Sequence, residues 1–353
     1  MSTTTTDLSS ASRMSGWPVA VAVITALNVV GWGLLFLVVV PSGVQYGHGG
    51  ATAVAVGLGA FALGMRHAFD ADHIAAIDNT TRRFVDRRRP SATVGLWFSL
   101  GHSSVVMLLC AGLAAGIGAA AHAISDDSGM HAFSSVWGPT VSGFFLLLIA
   151  AVNIWSVRRA RRGAGSAGGH GGPMWWLVRR FETVIDRPSR MYGVGFAFGL
   201  GFDTATEIGL LAMAGAATLG QVPWWAGMTL PILFAAGMSL LDTAQGAVMR
   251  RAYAYDPAVD HAGPGAPRAR MIPYAVVMTG VSALVAIAVA VVQFAGVGAE
   301  SFGWGGVVGA VGSADLETLG IWLTVVLIGL WSAFAATVAL GGRSVPRPVR
   351  RRS

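Results

Sequence analysis

The residues most able to do chemistry are packed into one short stretch of an apolar run, His67-Ala-Phe-Asp-Ala-Asp-His73. It holds two imidazoles and two carboxylates, with Arg66 immediately before them. Other apolar runs carry His102, the pair Asp203 and Glu207, and Asp242. Imidazole with carboxylate suits borderline divalent ions such as Ni²⁺, Co²⁺ and Zn²⁺, whereas Mg²⁺ and Ca²⁺ prefer oxygen alone. At roughly 100° per helical residue, His67, Asp70 and His73 fall within an arc of about 120°. Asp72 lies roughly 140° from His67 by the same rule. One helix face therefore offers His67, Asp70 and His73. Asp72 would join them only if the helix is kinked or unwound; otherwise it orients a histidine or faces a neighbouring helix. Arg66 and Asp70 are four apart and can pair. Asp203 and Glu207 share a face for the same reason, and their charge calls for a bound cation, Arg66 or protonation.

The competing reading is a structural polar network that locks helices together. An acid at the centre of a bilayer costs about 2.5–3.5 kcal/mol on the insertion scale, so several such residues in a few helices argue for a site. His102, in Leu100-Gly-His-Ser-Ser-Val-Val106, is ambiguous alone and becomes a ligand candidate through its company. Asp242, in Gly237-Met-Ser-Leu-Leu-Asp-Thr243, follows the same logic. His48, His122, His131, His170 and His261 read as solvated loop residues. The single cysteine, Cys110, can form no internal disulfide and reads as a small packing residue. The His-Glu-x-x-His of a zinc protease is absent, and a di-iron oxidase would need more histidines facing one pocket. No enzyme is implied.

These residues must be positioned by membrane helices. The chain is 54% hydrophobic and 12% charged, against roughly 25% charged for an average soluble domain. Apolar runs at 17–40, 52–77, 93–121, 136–157, 191–215, 223–248, 272–297 and 319–341 can each cross a hydrocarbon core of about 30 Å as a helix. The arginines test this count independently. All 24 basic residues are arginine, and apart from Arg66 they occupy the head, the tail and alternate loops. Loops 41–51, 122–135, 216–222 and 298–318 contain none and hold Asp126, Asp127, Glu300, Asp315 and Glu317 instead. The positive-inside rule then puts both termini in the cytoplasm. The expected fold is an all-α integral membrane protein of eight transmembrane helices. Residues 1–16 read as a disordered head, 17–341 as the polytopic domain with a flexible Arg/Gly-rich loop at 158–190, and 342–353 as a basic tail. The basic faces suit anionic lipid, not nucleic acid.

A weak internal echo is visible. Phe69-Asp70 followed by Ile74 resembles Phe202-Asp203 followed by Ile208, and Phe98, Gly101 and Ser103 resemble Phe234, Gly237 and Ser239. Each pair is three spans apart, so the copies would form an inverted repeat, as in many secondary transporters.

At these residues the sequence resembles the NiCoT family of nickel/cobalt permeases. The family's defining motif, a histidine, four residues and then Asp-His, is here Arg66-His-Ala-Phe-Asp-Ala-Asp-His-Ile74. Leu100-Gly-His-Ser-Ser-Val-Val106, Leu200-Gly-Phe-Asp-Thr-Ala-Thr-Glu207 and Gly237-Met-Ser-Leu-Leu-Asp-Thr-Ala-Gln-Gly246 are similar to three further motifs, and Asn28 with Trp32 to a polar position of the first span. The resemblance implies uptake of Ni²⁺ or Co²⁺ across the bacterial cytoplasmic membrane, with the ion as substrate and no cofactor. It implies His67, Asp72 and His73 as essential motif residues; on their residue types and helix positions, Asp70, His102, Asp203, Glu207 and Asp242 are read as completing the metal site. Asn28, Arg66 and Phe69 would support it. The Phe form at Phe69 leans toward cobalt. Gln245 departs from an expected aspartate. No ATPase subunit is implied, and a chain without lysine holds no Gly-Lys-Ser/Thr nucleotide motif.

Overall fold

The computed structural model describes residues 16–46, 51–114, 129–161, 185–201, 223–254 and 272–341. Helix α1 (Trp17–Leu34) has proline in its first turn, where the missing N–H is no loss, and continues through one wider π turn, Leu35–Val39. Two-residue strands β1 (Gln45–Tyr46) and β2 (Ala51–Thr52) pair antiparallel and return the chain. Thr52 then caps α2 (Ala53–His67), its Oγ1 accepting from the Ala55 N–H at 3.3 Å. The remaining helices are α3 (Ala71–Asp86), α4 (Val94–Ala114), α5 (Gly129–Arg161), α6 (Met191–Gly199), α7 (Trp224–Ala254), α8 (Ile272–Phe302), α9 (Gly306–Gly312) and α10 (Leu316–Gly341).

Among the described residues, α1 with its π turn, α4, α5, α7 and α8 are each long and apolar enough to cross a membrane. They match the runs at 17–40, 93–121, 136–157, 223–248 and 272–297. Helices α9 and α10 pass the same test only together, bent by 72°. The run expected from residue 319 thus starts earlier, behind a short helix in what the sequence read as loop. The run at 191–215 opens as α6, and its continuation from residue 202 lies outside the described residues.

The run at 52–77 is not one helix. It stops at His67 and restarts at Ala71, with Asp70 extended between them (φ −58°, ψ 135°). The residues at the break explain it. Arg66 and His67 stand in the last turn of α2, where the helix dipole favours cations, and Asp72 in the first turn of α3, where it favours anions. Asp72 Oδ1 also accepts the His73 N–H at 2.9 Å, satisfying an amide that a helix start leaves open. The freed Ala68 carbonyl accepts from Gln245 Nε2 on α7 at 3.3 Å.

Helix α3 lies at the centre, packed on α4, α5, α7, α8 and α10. It is polar yet buried, the reverse of a water-soluble fold: Asp78, Asn79, Thr80, Thr81, Arg82 and Arg83 are all inside. Large apolar side chains such as Leu37, Leu284 and Trp322 face outward. Lipid accepts those, but it cannot solvate the polar groups, several of which bond to partners inside the bundle. Asn79 Oδ1 accepts from Asn153 at 2.8 Å, and its Nδ2 donates to the Ala75 and Ser282 carbonyls at 2.8 and 3.2 Å. Tyr253 donates to Asp78, and Arg82 to Thr279. Arg89 reaches the Asp186 carbonyl at 2.8 Å, joining two of the arginine-rich segments.

Two helix crossings frame the centre, and they share one design. Where α2 meets α7, a β-carbon on Gly64 would overlap the Phe234 carbonyl, and one on Gly237 the Phe61 carbonyl. Where α4 meets α6, Gly101 faces the Tyr192 carbonyl and Gly195 the Phe98 carbonyl in the same way. Each of the four helices contributes an aromatic residue and a glycine three positions on. Backbones this close need small residues, as in membrane helix pairs generally.

Candidate metal site

The break brings three histidines together. His67 ends α2, His73 stands in the opening turns of α3, and His102 comes from the middle of α4. Their rings form a nearly regular triangle, with centroids 4.7, 4.8 and 4.9 Å apart. One nitrogen from each ring lies within 4.8 Å of the others, and all three residues are buried. His67 Nε2 and His102 Nε2 are 2.9 Å apart. Two nitrogens bound at right angles to one ion, each at about 2.0–2.1 Å, would be separated by about 2.9 Å.

Two acids stand behind the imidazoles. Asp70 Oδ2 is 2.9 Å from His67 Nδ1. Accepting that N–H leaves the lone pair on Nε2, which faces His102; a carboxylate behind a metal-binding histidine does the same. Asp242, from α7, is fully buried, with Oδ2 3.9 Å from His73 Nδ1. Neither Asp242 oxygen, nor Asp70 Oδ1, has a hydrogen bond among the described residues. A buried carboxylate left this way is costly unless a cation or proton joins it. Phe98 packs edge-on against His73 at 4.8 Å, and Phe234 lies 5.8 Å from His67. These are the residues whose carbonyls make the helix crossings, so the same contacts that close the bundle wall the site with apolar rings.

Other expected site residues are placed elsewhere. Asp72 leaves the triangle: its Oδ2 accepts from Ser142 Oγ and Gln293 Nε2, each at 3.1 Å. It faces neighbouring helices, α5 and α8, the alternative drawn from spacing, even though the helix is broken as joining the histidines would have required. Arg66 does not pair with Asp70 but with Glu317 at the start of α10. Phe69 contributes its carbonyl to the contact with α10, where a β-carbon on Gly320 would overlap it. Asn28 donates to the Ile24 carbonyl of its own helix at 2.9 Å, away from the triangle. Asp203 and Glu207 lie outside the described residues. Sequence reasoning missed Ser142, Gln293 and Glu317. The first two are single neutral polar residues in long apolar runs, and Glu317 precedes the run it belongs to; an uncharged amide in mid-run was the available signal.

Comparison with known proteins agrees with the resemblance. The family described as high-affinity nickel-transport protein matches residues 53–337. The nickel transporter NicT of Mycobacterium tuberculosis is 41% identical over 338 residues, covering 91% of this chain and 88% of that protein. The nickel transporter NixA of Staphylococcus aureus is 33% identical, covering 89% and 92%. The cobalt transport protein NhlF of Rhodococcus rhodochrous is 37% identical, covering 65% and 70%. No solved structure matches the chain. With the family matched across nearly all of the helical domain, and a buried three-histidine cluster at its defining motif, this chain belongs to the NiCoT nickel/cobalt permeases.

Proposed function

We propose that the chain imports Ni²⁺ or Co²⁺ through the three-histidine site at the helix break. The triangle of His67, His73 and His102 is the observation that carries this reading. Three neutral imidazoles backed by Asp70 and Asp242 would strip water from a borderline ion and exclude Mg²⁺ and Ca²⁺, which those nitrogens serve poorly. The chain is a transporter, not an enzyme, of the cytoplasmic membrane, as its relatives' names support.

The finer mechanism is part of the proposal. Eight spans with both termini cytoplasmic place the acidic loops outside and the arginines inside. The matched crossings of α2 on α7 and α4 on α6 support an inverted repeat, with the histidines between its halves. In that arrangement Asp203 is the second half's sequence counterpart of Asp70. Rocking of one half against the other would release the ion inward, with the membrane potential adding about 4.6 kcal/mol per divalent ion at 100 mV, from roughly 2.3 per charge. Phe69 would bias the choice toward cobalt.

The test is uptake of labelled cobalt and nickel by cells expressing the chain. Wild type is expected to accumulate metal well above background, and His67→Ala to return it to background. Accumulation that the chain does not change, or that the substitution does not diminish, would sink the reading.

A further inference from the structure

The segment opposite the arginine-rich face holds a cavity of about 440 Å³ between α5, α8, α9 and the start of α10. Six waters occupy about 180 Å³ at about 30 Å³ each, so a hydrated divalent ion fits. One face of α8 lines it with Gln293, Gly296 and Glu300, spaced so that they stack along the helix. Gly309 and Gly312 of α9 also line it and offer only backbone there. Gly312 is seated so closely that a β-carbon would come within 2.5–2.7 Å of the Ala295 and Gly296 backbone.

Gln293 links this cavity to the family motif. It is 4% exposed. Its Nε2 donates to Asp72 Oδ2 at 3.1 Å and to Ser142 Oγ at 2.7 Å. That fixes the amide orientation, because the reverse would set its oxygen against a carboxylate. Its Oε1 has no hydrogen-bond partner among the described residues. A buried acceptor left open costs about 1–3 kcal/mol, and a cation or its waters would satisfy it. Asp72 precedes His73, whose N–H its other oxygen accepts, so the cavity's polar floor and the histidine triangle meet within one helical turn.

We propose that this cavity is the outer vestibule, where Gln293, with Asp72 and Ser142 behind it, holds a still-hydrated divalent cation before the histidines take it. The proposal rests on the import reading above. Its chemistry differs from that of the triangle: oxygen donors also accept hard ions such as Mn²⁺, with a smaller preference for Co²⁺ than imidazoles show. The vestibule therefore admits hard ions that the histidines then hold far less tightly than Ni²⁺ or Co²⁺. Glu300, exposed at the cavity's outer end, draws cations in by its charge.

The experiment uses the full chain in two preparations. In proteoliposomes, Gln293→Leu is expected to raise the KM for cobalt about tenfold, with the maximal rate within about twofold of wild type, from loss of one contact to a charge. Glu300→Gln should raise KM about twofold to threefold at low salt and not at high salt. In detergent, the His67→Ala chain should still bind one Mn²⁺ weakly by electron paramagnetic resonance, and adding Gln293→Leu should remove it. Unchanged KM in both variants, or Mn²⁺ binding indifferent to Gln293, overturns the vestibule while leaving the import reading intact. Absence of uptake by wild type overturns the import reading instead, and the Mn²⁺ measurement still decides whether the oxygen site exists. Should Gln293→Leu fail to reach the membrane, Glu300→Gln at its exposed position decides: an unchanged KM at low salt overturns the proposal.

Discussion

At the residue scale, the three histidines do different jobs because different groups stand behind them. His67 Nδ1 lies 2.9 Å from Asp70, and donation to that carboxylate turns the Nε2 lone pair toward His102. His73 faces Asp242 at 3.9 Å, too far for a direct hydrogen bond, and a small approach of α7 to α3 would close that gap. Asp70→Asn should therefore lower cobalt affinity about 10–100-fold, as expected for a residue that orients a ligand, while His67→Ala removes the tight binding and leaves only a weak component; calorimetry on the purified chain measures both. Equal loss from the two substitutions would make Asp70 a ligand in its own right. Helical spacing grouped His67, Asp70 and His73 on one face of a continuous helix, whereas the structure gathers them across a break between two helices. The true neighbours of Asp72 were not legible from spacing, since Ser142 and Gln293 lie 70 and 221 positions away.

At the scale of the elements, the break in the second run is the device that builds the site. A continuous helix would bond the Ala68 carbonyl internally and leave it unavailable to Gln245. Gln245 is an amide where the family resemblance suggests an aspartate, and it donates to the Ala68 carbonyl. An aspartate there would need a proton, or another partner, to stand beside that oxygen. We expect Gln245→Leu to cost about 1–3 kcal/mol by leaving the carbonyl unpaired, read as lower resistance to denaturant in detergent. Helix α10 closes on the break through Gly320, whose bare Cα sits on the Phe69 carbonyl. Gly320→Leu should displace α10, separate Glu317 from Arg66 and cost at least about 1–3 kcal/mol, with uptake falling in step. Normal stability and uptake in that variant would show that α10 is not required at the break. The charge signs around the break, basic before and acidic after, were in the sequence as a helix end followed by a helix start. Apolar content on both sides concealed them.

At the scale of the whole molecule, polarity runs from inside to outside. Helix α3 puts its polar residues at the centre, and α1, α8 and α10 present apolar ones outward. Reporters fused to either end, one active only in the cytoplasm and one only outside, should both read cytoplasmic, and a reporter placed after Glu300 should read outside. An odd number of spans would put the two ends on opposite sides and remove the inward direction assigned above.

What the sequence alone determined is the membrane class and the positions of five long apolar helices, because these follow from composition and run length, both local properties. The alternation of arginines added an expectation for orientation, since charge bias acts on each loop separately. Only the tertiary structure decided which polar groups meet: that Arg66 answers Glu317, that Asp72 turns to Gln293, and that His102 completes the triangle. Those choices depend on how closely helices can approach. Glycines at Gly64, Gly101, Gly195, Gly237 and Gly320 set that approach only once the partner backbones are in place.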